Sequence, residues 1–274
     1  MIRKIIFLLL FSSIYHLAQN FELSGKIGSF KQPVCLDINA SAGVFVADGN
    51  ELIKLDTLGN ILKTIGGYGW SESSFDEISD IFVNTLQVLV ADKNNDRIQI
   101  FDKDLNFLSE FKTHRYENED YKFRYPSAAA ISGLGDLYIL DSENNRILKY
   151  NLNGDFLLSI GSYDAGDYQL NNPSDFVTDS RGNIFVADGN EVFMFDQFGT
   201  GLNKFKLSDN PVKLQIYQNG FIAISKSTLT FYDLRENRIT TKDFPEILIR
   251  DVKFLRNKLY LLSEKNILIY SYIK

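Results

Sequence analysis

Short apolar runs rich in Val, Ile, Leu, Phe and Tyr recur along the chain, separated by Gly, Asn, Asp and Ser. Runs of this length, bounded by turn residues, predict strands; a surface helix would repeat its apolar positions every three or four residues over a longer stretch. The runs are ordered. GVFVAD, QVLVAD, DLYILD and NIFVAD end at Asp48, Asp92, Asp141 and Asp188, and two looser copies, GFIAIS and KLYLLS, end at Ser225 and Ser263. The intervals between these end positions are 44, 49, 47, 37 and 38 residues. A second run follows each at 51–56, 97–102, 146–151, 191–196, 228–233 and 266–271, and a third at 61–66, 107–112, 156–161, 202–207 and 238–244. A further apolar stretch precedes each triplet, as VCLDI does at 34–38 and SDFVT at 174–178. Four strands in each of six units predict an all-β, six-bladed β-propeller of four-stranded antiparallel blades.

The sixth unit holds only three such runs before the chain stops at Lys274. The missing one is expected at residues 21–28, where Ile27-Gly28 repeats the Ile65-Gly66 and Ile160-Gly161 endings of other outer strands. The N-terminal strand then completes the last blade and closes the ring, because an unfinished blade leaves unpaired backbone groups at an open edge.

Ahead of that strand, residues 1–18 join a positive start at Arg3 and Lys4, an unbroken apolar run from Ile5 to Phe11, and a small residue, Ala18. This is the three-part pattern of a secretory signal peptide, and its apolar core is shorter than a bilayer-spanning helix. The expected organisation is a signal peptide over 1–18 and one propeller domain over 19–274, with no membrane span after cleavage. The localisation that follows is secreted or periplasmic.

Composition narrows the function. Phe and Tyr number 36, against one Trp and two His, in keeping with β-structure. Without the leader the net charge is −8, divided into −14 over residues 19–203 and +6 over 204–274. That acidic balance argues against a nucleic-acid partner, which needs a basic footprint, while the basic last quarter suits contact with an acidic envelope polymer. Cys35 is the single cysteine, so an internal disulfide and a Cys-rich zinc site are excluded.

Two units share a finer signature. Asp92-Lys93-Asn94-Asn95-Asp96-Arg97-Ile98 and Asp141-Ser142-Glu143-Asn144-Asn145-Arg146-Ile147 have the spacing D-x-x-N-x-R-I. With the preceding V-A-D and the later I-G, the chain resembles the NHL-repeat β-propellers over almost all of residues 21–274, strongly in four blades and weakly in the last two. Blades one and four depart from the pattern, using a tight Ala-Asp-Gly-Asn-Glu turn at 47–51 and 187–191. The resemblance implies the fold. It leaves function open, since the family includes sensors, protein- and RNA-binding modules and some enzymes. The repeated Asp and Arg are expected to pair in a bidentate way and pin the loop between them.

Enzyme motifs are scarce. The chain lacks a G-x-S-x-G elbow, a phosphate-cradling glycine loop and H-E-x-x-H. The zinc-dependent amidating lyase with an NHL-type propeller uses several histidines, and the mature chain keeps only His114. One position of each inner strand holds Cys35, Asp80, Ala128, Asp175, Lys213 and Asp251, which a six-fold ring brings near the axis. Asp80, Asp175, Lys213 and Asp251 are the candidate polar ring of the channel. Their carboxylates suit either backbone capping or one calcium or magnesium ion, as in six-bladed lactonases.

The long inter-blade loops at 67–77, 113–126 and 162–173 carry the other candidates. Tyr68, Trp70, His114, Tyr116 and Tyr163 mix with Asp and Glu there, a composition typical of contact surfaces. Phe75, Phe123 and Leu170 are placed as plugs between blades. The expectation is therefore a monomeric, non-catalytic scaffold without a resident cofactor, binding an envelope or extracellular protein or glycan. The competing reading is a metal-dependent, lactonase-like hydrolase or lyase with a divalent ion in the channel.

Overall fold

The computed structural model describes residues 21–272 apart from Ala42, so the signal peptide expected at 1–18 lies outside the described residues. Strand β1 (Phe21–Ile27) comes first. Blade one follows with β2 (Pro33–Ile38), β3 (Val44–Asp48), β4 (Glu51–Leu55) and β5 (Ile61–Gly66), and blade two with β6 (Ile78–Val83), β7 (Gln87–Asp92), β8 (Arg97–Asp102) and β9 (Phe107–Phe111). Blade three holds β10 (Pro126–Ile131), β11 (Leu137–Asp141), β12 (Arg146–Tyr150) and β13 (Phe156–Ile160), and blade four holds β14 (Pro173–Thr178), β15 (Ile184–Asp188), β16 (Glu191–Phe195) and β17 (Gly201–Lys206). Blade five is β18 (Lys213–Tyr217), β19 (Gly220–Ser225), β20 (Thr228–Asp233) and β21 (Arg238–Asp243). Blade six adds β22 (Asp251–Leu255), β23 (Lys258–Leu262) and β24 (Ile267–Tyr272).

Among the described residues these strands form six four-stranded sheets, five of them in simple sequence order. The sixth runs β1-β24-β23-β22. Antiparallel pairing from Phe21↔Tyr272 to Ile27↔Ile267 closes the ring as the sequence predicts. Phe21 is buried there, edge-on to Phe254 and Tyr272 and stacked over Phe231 at 6.1 Å. Blade five is thereby tied to blade six through the first strand of the fold.

The burial pattern follows position in the blade. Second strands such as β3 and β7 are covered on both faces by neighbouring blades, which is why they read as continuous apolar runs. Outer strands alternate, β21 most regularly, because one face meets solvent. The core is a ring of apolar clusters between adjacent blades, and Phe75, Phe123 and Leu170 each sit buried in one of them. In blades one and four the two-residue turn after Asp48 and Asp188 places Gly49 and Gly189 at φ of 61° and 58°, a conformation that favours glycine.

Candidate functional site

The four strand-ending aspartates perform one task. Asp48 accepts from the backbone N–H groups of Lys31 and Gln32, Asp188 from Asn171 and Asn172, Asp92 from Asp76, and Asp141 from Arg124. Each carboxylate therefore gathers the loop that enters its own blade. In blades two and three the longer turn adds Asn95 and Asn144, which donate to Asp92 and Asp141, and the arginine five residues on.

The Asp–Arg geometry differs from the bidentate pairing expected. Arg97 gives only its Nε–H to Asp92, at 2.7 Å, and Arg146 only its Nε–H to Asp141, at 2.9 Å. The reason is that the ends of the guanidinium are engaged by the inter-blade loop. Arg97 Nη1 donates to Trp70 O and Glu110 Oε2, both at 2.9 Å, and Nη2 to the carbonyls of Ser71 and Ser74. Gln99 donates to Ser74 O and accepts from Ser73 N. Arg97 is 2% exposed and every guanidinium N–H is used, so the loop at 67–77 is held rigidly against blade two.

That loop presents Tyr68 and Trp70 outward. They are 66% and 68% exposed and pack edge to face with ring centroids 5.5 Å apart. Tyr163, on the loop after blade three, is 83% exposed. His114 is exposed in its turn. Tyr116 is placed differently from its expected position on the contact face. The loop at 113–125 runs back along blade three, and Tyr116 stacks on Tyr150 while its hydroxyl and Arg115 bond to the carbonyl of Gly154. It is packing, drawn away by the apolar ends of β12 and β13.

The inner strands place Asp80, Asp175, Lys213 and Asp251 around one axial cavity of about 230 Å³. Asp37 and Lys253 line it too, and both were missed in the sequence. They stand two residues beyond Cys35 and Asp251 on the same strands, so the period of two that governs strand faces was the signal that finds them. Lys213 Nζ lies 2.5 Å from Asp80 Oδ1 and 3.6 Å from Asp175 Oδ1, and Lys253 Nζ lies 3.4 Å from Asp37 Oδ1. The remaining carboxylate oxygens cap the next inner strand around the ring: Asp37 accepts from Val83 N, Asp175 from Leu214 N and Asp251 from Leu36 N.

Burial raises the carboxyls. Asp175 is pushed up to about 7 and Asp251 to about 6, chiefly by loss of hydration, with Lys213 and Lys253 opposing, while Asp37 is also raised. Burial works against the charge of Lys213, yet the carboxylates of Asp175 and Asp80 more than offset it and hold the ammonium well above its ordinary range. Cys35 is buried beside this ring, and desolvation followed by the Asp80 charge pushes its thiol up, the reverse of nucleophile activation.

These residues do not fit the calcium or magnesium ion of the competing reading. Asp80 is occupied by an ammonium group, and Asp175 and Asp251 each hold a backbone N–H. Among the described residues no group of three or more His, Cys, Asp or Glu is arranged to hold a metal ion.

Comparison with known proteins agrees with the repeat geometry. The family model of the NHL repeat matches residues 123–150, which run from the plug Phe123 through Asp141, Asn144 and Arg146. The chain is a six-bladed β-propeller that carries an NHL repeat. It is similar to "Protein brain tumor" of Drosophila melanogaster, 34% identical over 148 residues, covering 52% of this chain and 14% of the relative. Similarity to the B-box type zinc finger protein ncl-1 of Caenorhabditis elegans is 31% over 147 residues, covering 52% of this chain and 17% of that protein. This propeller therefore matches small parts of much longer relatives. Two solved structures of virginiamycin B lyase from Staphylococcus aureus, one an inactive variant with quinupristin, superpose with TM-scores of 0.63 and 0.64. They cover 88% of this chain and 80% of theirs, and at 14% identity they share the fold alone. Among the described residues no helix is long and apolar enough to cross a membrane.

Proposed function

We propose that this NHL propeller is an exported, non-catalytic binding scaffold that meets a protein or glycan partner through the face bearing Tyr68, Trp70 and Tyr163. The observation that carries the reading is the aromatic pair of Tyr68 and Trp70, exposed on a loop whose backbone Arg97 and Gln99 fix from beneath. Exposed rings on a loop already ordered bind without a large loss of conformational entropy, and Trp and Tyr are the side chains most often dominant in interfaces. The similarity to NHL proteins supports a binding role, and the leader-like residues 1–18 support export to the envelope or beyond.

A photoactivatable cross-linker at position 68 in producing cells tests the partner, with position 239, on the outer strand of blade five, as control. The expected result is a product seen from position 68, absent from position 239 and lost with Trp70→Ala. In the purified pair, Tyr68→Ala with Trp70→Ala should weaken affinity by about thirtyfold, roughly 2 kcal/mol. Unchanged affinity would remove this face from the binding site. N-terminal sequencing of the recovered protein tests export: a chain starting at Gln19 supports it, and an intact Met1 start contradicts it.

A further inference from the structure

Blades two and three carry the same arginine in the same turn, but they use it differently. In blade two all the N–H groups of Arg97 are taken, the last of them by Glu110 on β9. In blade three the register Leu148↔Ser159 matches Gln99↔Glu110, so Ser159 stands where Glu110 stands and Leu148 where Gln99 does. Arg146 consequently gives Nε to Asp141 and Nη2 to Lys122 O at 3.0 Å, with Glu119 O at 3.5 Å. Its Nη1 makes no hydrogen bond among the described residues, and the nearest carboxylate oxygen, on Asp120, is 3.9 Å away. Arg146 is 8% exposed and lines an open groove of about 520 Å³ between the loops at 113–125 and 161–172. The Nη1 donors of this largely buried guanidinium are free to face the open groove, where a ligand hydroxyl can take the place of water.

We propose that this groove binds a neutral sugar residue of a glycan. The inference rests on the reading of this face as the binding face and names the chemistry of one part of it. The lining mixes donors and acceptors as hydroxyl groups require: Arg146 Nη1 donates, Asp120 and Glu143 accept, and the amides of Asn145 and Asn171 do both. Tyr163 offers an exposed ring at the edge, the shape on which the apolar face of a pyranose packs. Charge selects against an anion. Lys122 and Arg124 both lie against Glu119, at 2.7 and 3.7 Å, and Asp141 stands behind Arg146. Together with Asp120 and Glu143 this leaves one more carboxylate than cation around the groove.

The test is titration of the chain lacking residues 1–18 with glucose, galactose, mannose and N-acetylglucosamine, and separately with glucuronate and inorganic phosphate, followed by calorimetry or amide chemical shifts. At least one neutral sugar should saturate with a dissociation constant on the order of 1 mM. Ser159→Glu should place a carboxylate on Nη1 as Glu110 does in blade two, and Tyr163→Ala should remove the stacking ring; each should weaken binding about tenfold or more with no loss of thermal stability. Neither variant removes a core residue, so misfolding does not mask the result. The proposal is overturned if no neutral sugar saturates by about 50 mM, if both variants bind as the parent does, or if glucuronate or phosphate binds more tightly than every neutral sugar. Neutral-sugar binding by a chain that gives no cross-linked product from position 68, with Trp70 intact, would instead sink only the aromatic-pair contact.

Discussion

Arg97 shows how much one side chain decides in this fold. It is sealed from solvent with Asp92, and it replaces water for three carbonyls of the loop that carries Tyr68 and Trp70. Arg97→Gln would leave the Asp92 carboxylate buried with a weaker partner and orphan those carbonyls. Removing one member of a buried ion pair typically costs about 3–5 kcal/mol. Chemical denaturation should register a loss of at least about 3 kcal/mol, and a loss below about 1 kcal/mol would show that the loop relaxes and rehydrates. The spacing of Asp, Asn and Arg was legible in the sequence, because its elements lie within one turn. The use made of each guanidinium was not. That depends on Glu110 against Ser159, residues on another strand whose register only the folded sheet defines. The same limit explains Tyr116, which looks like Tyr163 in a loop sequence and differs only in which apolar surface lies within reach.

At the level of the strand, the inner strands β2, β6, β14, β18 and β22 bring charged groups to the axis, and their protonation should set the pH dependence of stability. Asp175 has a folded-state value near 7, above the ordinary carboxyl range, because burial disfavours its charge. A raised carboxyl binds its proton more tightly in the folded state, so its stabilising contribution is complete below about pH 4 and is lost as pH rises through about 7. Asp251 behaves alike, with its loss complete near pH 6. Asp175→Asn keeps an oxygen for Leu214 N–H and removes the titration. The parent should therefore lose stability relative to Asp175→Asn between about pH 4 and pH 7, by up to a few kcal/mol. Parallel stability profiles for the two proteins over that window would show that Lys213 keeps Asp175 ionised throughout. The strands themselves were readable from apolar runs and turn residues, and their ends moved by a residue or so. Asp37 and Lys253 were passed over since each sits in a run whose alternate residues are buried between blades.

For the molecule as a whole, the closure by β1 makes stability collective. In an open array of repeats an end frays alone, since each unit depends only on its neighbours. Here β1 supplies the outer strand of blade six, and its Phe21 packs against Phe231 of blade five, Phe254 of β22 and Tyr272 of β24. Removing residues 19–28 would expose the edge of β24 and empty the Phe21 site, a change for which the aromatic alone accounts for about 3–5 kcal/mol. Because every inter-blade cluster adjoins two others around the ring, that loss should reach blades that never touch β1. Hydrogen exchange in β11, in blade three and not adjacent to blade six, provides the measurement. If its slowest amides exchange through global unfolding, their protection should fall by about two orders of magnitude or more in the truncated chain, the factor that 3 kcal/mol implies. Protection in β11 left unchanged, with loss confined to β22, β23 and β24, would mean that the blades act as a chain of independent neighbours and that closure serves only to cover an edge.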